Sequence, residues 1–207
     1  MKVILFFILL YTVSFSQNIV KIDSNTTDIE DFKVAYLIDN LEKFTFKDVN
    51  SMQFIEGKSS ETLGANTTNT WVKIELENST KDTQTLFLHQ DEAYTLFSID
   101  FYEVDTNGSL LNKLDINIYS TEVEKSMLGS DAVFTFTLAP QERKTLYIQQ
   151  KTLAYHYYNF RIFSKHKSQE YLIFEKVGLF KNLCQSGKIT NTKGHRDEDR
   201  NRCRTIC

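Results

Sequence analysis

Residues 155–158 (Tyr-His-Tyr-Tyr), followed by Arg161, are the densest group of side chains suited to recognising a small polar molecule. Alternation along a strand predicts that Tyr158 faces inward while Tyr157 and Arg161 face solvent. Flat aromatic faces beside hydrogen-bonding groups suit a polyol, and a guanidinium suits a carboxylate or a phosphate. We therefore predict that Tyr155, Tyr157 and Arg161 bind a ligand. Ordinary cross-strand pairing on a wet sheet face is the alternative.

Trp71 is a second candidate for stacking on a sugar ring. It begins a strand-like run in which it shares one face with Lys73 and Glu75. An exposed indole on such a polar face would be a stacking platform, so Trp71 is a predicted ligand residue. The alternative is that residues 44–54 cover it and make it structural, because tryptophan is usually largely buried.

Residues 89–94 (HQDEAY) end another predicted strand and form a third candidate site. We predict that His89 and Tyr94 contribute to ligand binding from this loop. Acidic loops also bind calcium, but Asp91 and Glu92 are the only adjacent carboxylates here. Calcium needs more oxygen ligands than these two side chains supply, so the loop favours an organic ligand over a metal.

Motifs that mark common enzyme chemistries are missing from the sequence. It contains no phosphate-cradling glycine loop, no Gly-x-Ser-x-Gly elbow and no His-Glu-x-x-His helix. The sequence therefore predicts a binding protein with no catalytic residues and no cofactor. A small hydrolase is the less favoured alternative, because two distant carboxylates can meet in space as a glycosidase pair.

The three cysteines all lie near the C-terminus, at Cys184, Cys203 and Cys207. In an oxidising compartment two of them would pair and one would stay unpaired. With His195 they supply the ligand types of a zinc site, but the spacing matches no familiar zinc module. We therefore predict no metal site.

Short runs of alternating apolar and polar residues must position these side chains. In residues 71–77 the apolar residues at 72, 74 and 76 share one face, which is the period of a half-buried strand. Similar runs follow at near-even spacing up to residue 162, interrupted by turn signals such as residues 105–108 and Pro140. This pattern predicts an all-β fold, an antiparallel β-sandwich. Its predicted core consists of Val72, Ile74, Leu76, Phe97, Ile99, Phe101, Phe134, Phe136, Leu146, Ile148, Phe160 and Ile162.

The N-terminus has the features of a secretory signal peptide. Lys2 precedes an apolar run at residues 3–13, and Ser14 and Ser16 supply small residues before a cleavage site at Gln17. The alternative, an uncleaved anchor, is disfavoured because the run is shorter than the roughly 20 residues of a spanning helix. We expect an exported protein, in the periplasm or at the outer face of the cytoplasmic membrane, with no transmembrane helix.

Composition divides the chain into a signal peptide (1–16), a loosely held lead-in (17–32), a β-sandwich domain (33–180) and a basic tail (181–207). Residues 17–180 carry sixteen Lys/Arg against twenty-four Asp/Glu, and this acidic balance disfavours nucleic acid as a partner. The tail carries seven Lys/Arg against three Asp/Glu and has no apolar face to pack, so we predict that it is disordered. A short helix capped by Ser168 is predicted before the tail.

The order of the strand-like runs resembles a known family. A tryptophan opens a strand that ends in asparagine, a Leu-Phe-Leu strand follows, and a Phe-Ser-Ile-Asp-Phe-Tyr strand leads to an Asn-Gly turn. Over roughly residues 33–180 the chain resembles the type 2 extracytoplasmic domain of bacterial seven-transmembrane receptors with diverse intracellular signalling modules. The runs that carry the resemblance are residues 71–78, 86–88, 97–102, 133–136, 144–148, 158–162 and 169–180.

This resemblance implies a jelly-roll-like sandwich that acts as a periplasmic sensor of small molecules, carbohydrates above all. In such receptors the domain precedes seven membrane helices and a cytoplasmic output such as a diguanylate cyclase or a histidine kinase. This chain stops where those helices should begin, so we expect either a truncated receptor or a freestanding binding protein. A carbohydrate-binding or protein-interaction module is the alternative function, and the oligomeric state is not predicted.

Overall fold

The computed structural model describes residues 19–117, 119, 127–128, 131–165 and 167–170. Within them the chain forms thirteen β-strands, a short α-helix α1 (Phe46–Val49), a 3-10 turn (Ala93–Thr95) and a helical segment that begins at residue 165. The predicted signal peptide and basic tail lie outside the described residues. The strands are β1 (Ile19–Ile22), β2 (Asp28–Ile29), β3 (Lys33–Ile38), β4 (Ile55–Lys58), β5 (Ser60–Gly64), β6 (Asn69–Asn78), β7 (Gln84–Gln90), β8 (Ser98–Val104), β9 (Leu110–Asn117), β10 (Met127–Leu128), β11 (Asp131–Leu138), β12 (Arg143–Lys151) and β13 (His156–Ser164).

The described strands form two sheets. Sheet A has the order β4-β3-β6-β12-β8-β9, and β1 lies parallel to the second half of β6. Sheet B has the order β10-β11-β7-β13-β2, and β5 pairs with the beginning of β13. All pairs except β1 with β6 are antiparallel. The predicted all-β antiparallel sandwich is confirmed.

The main core lies between the two sheets and comes from the alternating apolar residues. Eleven of the twelve predicted core residues are buried, and the stacked rings of Phe101 and Phe134, 5.3 Å apart, join sheet A to sheet B. Phe97 is the exception: it is half-buried and packs edge-on against Tyr119. The prediction is wrong there because β8 begins only at Ser98, and Leu96, which is 6% exposed, closes this end of the core instead.

The predicted lead-in is more ordered than expected. Residues 19–29 contribute one strand to each sheet, β1 to sheet A and β2 to sheet B. Val20 and Ile22, a short apolar pair, reach the main core with 7% and 1% exposure. Burial of these two side chains therefore fixes a segment whose polar composition predicts a loose chain.

Four loops meet at one end of the sandwich, which we call the loop end. Register places the start of β6 beside the end of β12, and the end of β12 beside the start of β8. The loop end consists of residues 39–44, 64–68, 91–97 and 152–155. These loops carry four exposed large apolar side chains, Leu41, Tyr94, Leu153 and Tyr155.

After β13 the backbone becomes helical at residue 165. Ser168 therefore lies within the helical turn and not at its N-cap, which corrects the predicted position. Its side chain is 2% exposed because the turn packs on the outer face of sheet B. None of the described helices has the length and apolar character needed to cross a bilayer.

Candidate functional site

The outward residues of β13 meet the acidic loop that follows β7. The Tyr157 hydroxyl donates to Glu92 Oε2 at 2.6 Å, and Asn159 Nδ2 donates to Asp91 Oδ2 at 2.6 Å. Arg161 Nε lies 3.2 Å from the same Asp91 oxygen. Tyr158, by contrast, is fully buried, so the predicted alternation along this strand is confirmed.

Two exposed tyrosines flank this network. Tyr94 is 66% exposed, and Tyr155, at the entrance to β13, is 53% exposed. Burial and the hydrogen bond to Glu92 both raise the pKa of Tyr157, and Tyr94 is close enough to add to that rise. We call Tyr94, Tyr155, Tyr157, Asn159 and Arg161, with the carboxylates of Asp91 and Glu92, the tyrosine surface.

The backbone explains why the acidic loop reaches β13. Glu92 adopts a left-handed conformation with φ of 52°, which turns the chain sharply after β7 and begins a 3-10 turn at Ala93–Thr95. The Asp91 backbone N–H donates to the carbonyl of Asn159 at 3.1 Å, so the loop is tied to the strand. The result is a fixed array of phenol, amide, guanidinium and carboxylate groups, which can donate and accept several hydrogen bonds at once.

The structure brings His89 close to this surface but encloses it. The structure places His89 within β7, fully buried on the outward face of the strand, and not in the loop from which we expected it to contribute. Its Nδ1 lies 3.3 Å from Asp131 Oδ2, its Nε2 lies 2.9 Å from Ser168 Oγ, and the Phe163 ring packs edge-on against it. The helical turn after β13 covers this face, which the sequence pattern of β7 could not reveal.

These contacts have the connectivity of a Ser-His-Asp triad. Asp131 and Ser168 are only 1% and 2% exposed, however, and a nucleophile needs a path for its substrate. The arrangement therefore serves to fasten the C-terminal helical turn to sheet B through a buried hydrogen-bonded network.

Trp71 lies on the opposite side of the molecule, on the outer face of sheet A. It is 1% exposed, so the predicted open stacking platform is wrong and the structural alternative is correct. Residues 44–54, which we call the covering segment, pack Phe46 and Val49 over it and its neighbour Tyr102. Apolar side chains in this segment must be buried somewhere, and the aromatic stripe of sheet A gives them a surface.

Local hydrogen bonds position the covering segment. The Asp39 carboxylate accepts the backbone N–H groups of Lys43 and Phe44 at 2.9 and 3.0 Å. The Thr45 backbone N–H and hydroxyl both donate to Asp48 Oδ2 at the start of α1. These bonds lower the pKa of Asp48, as expected for a carboxylate that caps a helix.

Beside the covering segment lies a polar groove of about 330 Å³ on sheet A. The Tyr147 hydroxyl donates to Asn50 Oδ1 at 3.1 Å, and burial together with Glu75 raises the pKa of Tyr147 to about 12. Lys73 pairs with Glu75 at 2.6 Å and Arg143 with Glu77 at 3.1 Å, so these charges are already compensated. Sequence reasoning missed this groove because it depends on the register of β6 and β12.

A carboxylate pair also lies on sheet A. Asp100 and Asp115 oppose each other directly across β8 and β9. Burial and the charge of Asp115 raise the pKa of Asp100 to about 6. The pair lies on a sheet face beside Lys113, and among the described residues no group of three or more His, Cys, Asp or Glu side chains is arranged to hold a metal ion. His195 and the three cysteines lie outside the described residues.

Residues 32–164 match the domain family described as 7TMR-DISM extracellular 2. No curated protein matches the sequence.

A solved structure described as a GH115 4-O-methyl-alpha-glucuronidase, BtGH115A, is similar at 10% identity, 50% coverage of this chain, 14% coverage of that chain and a TM-score of 0.29. A structure of carbohydrate-binding modules from the beta-sandwich super family is similar at 12% identity, 67% and 54% coverage and a TM-score of 0.29. Tailspike protein 4 of bacteriophage CBA120 is similar at 8% identity, 67% and 18% coverage and a TM-score of 0.28. With TM-scores this low, none of the three bears on the fold or the ligand of this chain.

Proposed function

Because this chain belongs to the 7TMR-DISM extracellular 2 family, the extracellular sensor domains of seven-transmembrane receptors, we propose that it binds a small polar molecule of the saccharide class at the tyrosine surface. Binding would involve no chemical reaction and would transmit a signal by favouring one of two conformations of the domain. The predicted ligand residues Tyr94, Tyr155, Tyr157 and Arg161 all belong to this surface, whereas Trp71 is covered on the other sheet.

One observation carries the proposal: exposed aromatic rings lie beside a network of charged and amide groups. Tyr94 and Tyr155 offer apolar ring faces on which a sugar can stack. Next to them, the hydrogen-bonded groups of Tyr157, Asn159 and Arg161 are held in place by Asp91 and Glu92. Preorganised polar groups lower the cost of ordering a binding site.

Export of the protein is part of the same proposal. The positive residue and the apolar run at residues 2–13 support a secretory signal, as does membership of a family of extracellular domains. N-terminal sequencing of the expressed product should find Gln17 as the first residue. A product that keeps residues 1–16 and stays in the cytosol would contradict export.

The binding proposal is tested by calorimetric titration of the full chain with a panel of neutral and acidic mono- and disaccharides. For any sugar of the panel that binds the unmodified chain, we expect Tyr155→Ala to weaken binding at least tenfold, because the variant removes the ring face on which the sugar stacks. Arg161→Gln should weaken acidic sugars more than neutral ones, since a guanidinium pairs with a carboxylate. Tyr119→Ala is the matched control, because Tyr119 is also exposed but packs on Phe97 at the edge of sheet A.

Two results would overturn this proposal. One is the absence of binding across the whole panel. The other is an equal loss of affinity in the Tyr155 and Tyr119 variants, which would show that the tyrosine surface has no special role.

A further inference from the structure

Three buried polar side chains face the sandwich interior near the loop end. Thr70 on β6 and Gln150 on β12 are direct cross-strand neighbours, and His156 is the first residue of β13. All three are 0% exposed. Five of their polar atoms have no hydrogen-bond partner among the described residues: the Thr70 hydroxyl oxygen, both amide atoms of Gln150 and both ring nitrogens of His156.

We infer from strand alternation that these residues lie at the same level of the interior. One layer deeper, the Tyr158 ring of sheet B packs 6.4 Å from the Tyr36 ring of sheet A, and Tyr36 is paired with Val72. Since inward side chains recur every two residues, the next layer toward the loop end contains His156 from sheet B and Thr70 from sheet A. The polar side chains therefore form one layer, which we call the polar layer.

Such a layer destabilises a core that is held together by apolar contacts. An unsatisfied buried polar group costs about 1–3 kcal/mol, and nearly all such groups in native proteins have partners. Val72 and Ile148, the neighbours of Thr70 and Gln150 on the same strands, show that apolar residues fit this face of the sheet. A partner that hydrogen-bonds to these side chains would remove this cost.

The chemistry of the polar layer selects for a neutral partner. Burial lowers the pKa of His156 to about 4, so its ring is neutral at neutral pH and offers one donor and one acceptor. The Gln150 amide and the Thr70 hydroxyl likewise donate and accept. A charged molecule would be buried here without a counter-charge, at a high cost in desolvation. Hydroxyl groups, which both donate and accept, match all three side chains.

Access to the polar layer depends on the loop that joins its two strands. Residues 152–155 connect the strand of Gln150 to that of His156 and carry Leu153, which is 83% exposed. Thr152 is buried and its backbone N–H donates to the Thr68 carbonyl at 2.9 Å, but residues 153–155 are all exposed. Loops held by few buried contacts open at low free-energy cost.

We propose that Thr70, Gln150 and His156 form a binding site for a small neutral polyol, which enters between the two sheets when the loop at residues 152–155 opens. This site is separate from the tyrosine surface, since its side chains face the interior of the sandwich. The ligand hydroxyls would satisfy the five partnerless atoms and hold the loop end in a second conformation.

The probes are erythritol and xylitol, titrated into the isotope-labelled full chain and followed by NMR. The Gln150 side-chain amide and the His156 ring should shift with saturable dependence on polyol concentration. Thr70→Val is isosteric and should weaken erythritol binding at least tenfold. It should also leave the unliganded protein as stable or more stable, because it removes one partnerless hydroxyl. Gln150→Met, of similar shape, should act in the same direction.

Thr135→Val is the matched control, because it makes the same change at an exposed position of β11 and should leave polyol binding unchanged. Tyr94→Ala separates this site from the tyrosine surface and should leave erythritol binding unchanged while weakening a bound saccharide. The proposal is overturned if neither polyol shifts the Gln150 and His156 signals. Unchanged affinity in both the Thr70 and the Gln150 variants would overturn it equally.

Discussion

The outer faces of the two sheets show two outcomes of the same alternating pattern. On sheet A the outward residue Trp71 lies under the covering segment and has become part of a second, smaller core. On sheet B the outward residue Tyr157 stays at the surface and donates to Glu92. Alternation along the strand orients both side chains outward, but it does not determine which residues they contact there.

The difference comes from the loops and not from the strands. The covering segment carries Phe44, Phe46, Val49, Met52 and Phe54, which have to leave water. The loop after β7 carries the largely buried Asp91 and the exposed Glu92, and both carboxylates pair with the polar groups of β13. An aromatic residue on a sheet face is thus structural or available for binding according to the loop that lies over it.

The largest expected effect comes from breaking the covered face of sheet A. Trp71→Ala should lower the free energy of unfolding by about 3–5 kcal/mol, because it opens a cavity between sheet A and the covering segment. Tyr155→Ala, which removes an exposed ring of sheet B, should change it by less than about 0.5 kcal/mol. Urea unfolding of the two variants beside the unmodified chain measures both values. Equal losses in the two variants would erase the distinction between the faces.

The next effect concerns the part of the outer face of sheet B that the helical turn covers. Ser168→Ala removes the 2.9 Å hydrogen bond to His89 and should cost about 1–2 kcal/mol. Amide hydrogen exchange at residues 167–170 should also become faster, because the helical turn would detach from sheet B more often. Ser109→Ala, at an exposed turn, serves as the control and should change neither quantity. Unaltered exchange in the Ser168 variant would show that other contacts hold the turn.

The sequence predicts the sandwich well because a strand reveals its two faces locally. The inward positions of β6, β8, β11, β12 and β13 follow from the alternation of apolar residues, and eleven of twelve were correct. The failures at His89 and Trp71 involve contacts between distant parts of the chain. His89 meets Asp131 and Ser168, which are 42 and 79 residues away, and Trp71 meets a segment that a periodic pattern cannot assign to either sheet.

The predicted ligand residues also show that a local sequence pattern does not reveal contacts between distant parts of the chain. The clustering of Tyr155, Tyr157 and Arg161 follows from one strand, so the sequence identifies it. Their carboxylate partners could not be assigned from the sequence, because Asp91 and Glu92 reach β13 only through the turn after β7 and Glu30 only from beside β2. The polar layer needs the registers of two sheets, and no local pattern marks it.

The smallest expected effect sharpens the comparison through charge. On sheet B the carboxylates of Asp91 and Glu30 face the guanidinium of Arg161, whereas on sheet A Asp100 and Asp115 face each other. Burial and Asp115 raise the pKa of Asp100 from 3.8 to about 6. The folded chain therefore keeps a proton that the unfolded chain releases, and this residue costs stability as the pH rises from about 4 to 6.

Asp100→Asn should accordingly stabilise the protein by up to about 1 kcal/mol at pH 7, the scale of a like-charge pair across two strands. At pH 4 the gain should disappear, because the Asp100 carboxyl is protonated in the folded state. Asp48→Asn is the control of opposite sign: hydrogen bonds from Thr45 lower the pKa of Asp48, so this variant should lose stability at pH 7. Urea unfolding at pH 4 and pH 7 gives the change in unfolding free energy of each variant relative to the unmodified chain. A loss of stability in the Asp100 variant at pH 7 would mean that attraction to Lys113 and Lys151 outweighs the repulsion, and that both outer faces carry complementary charge.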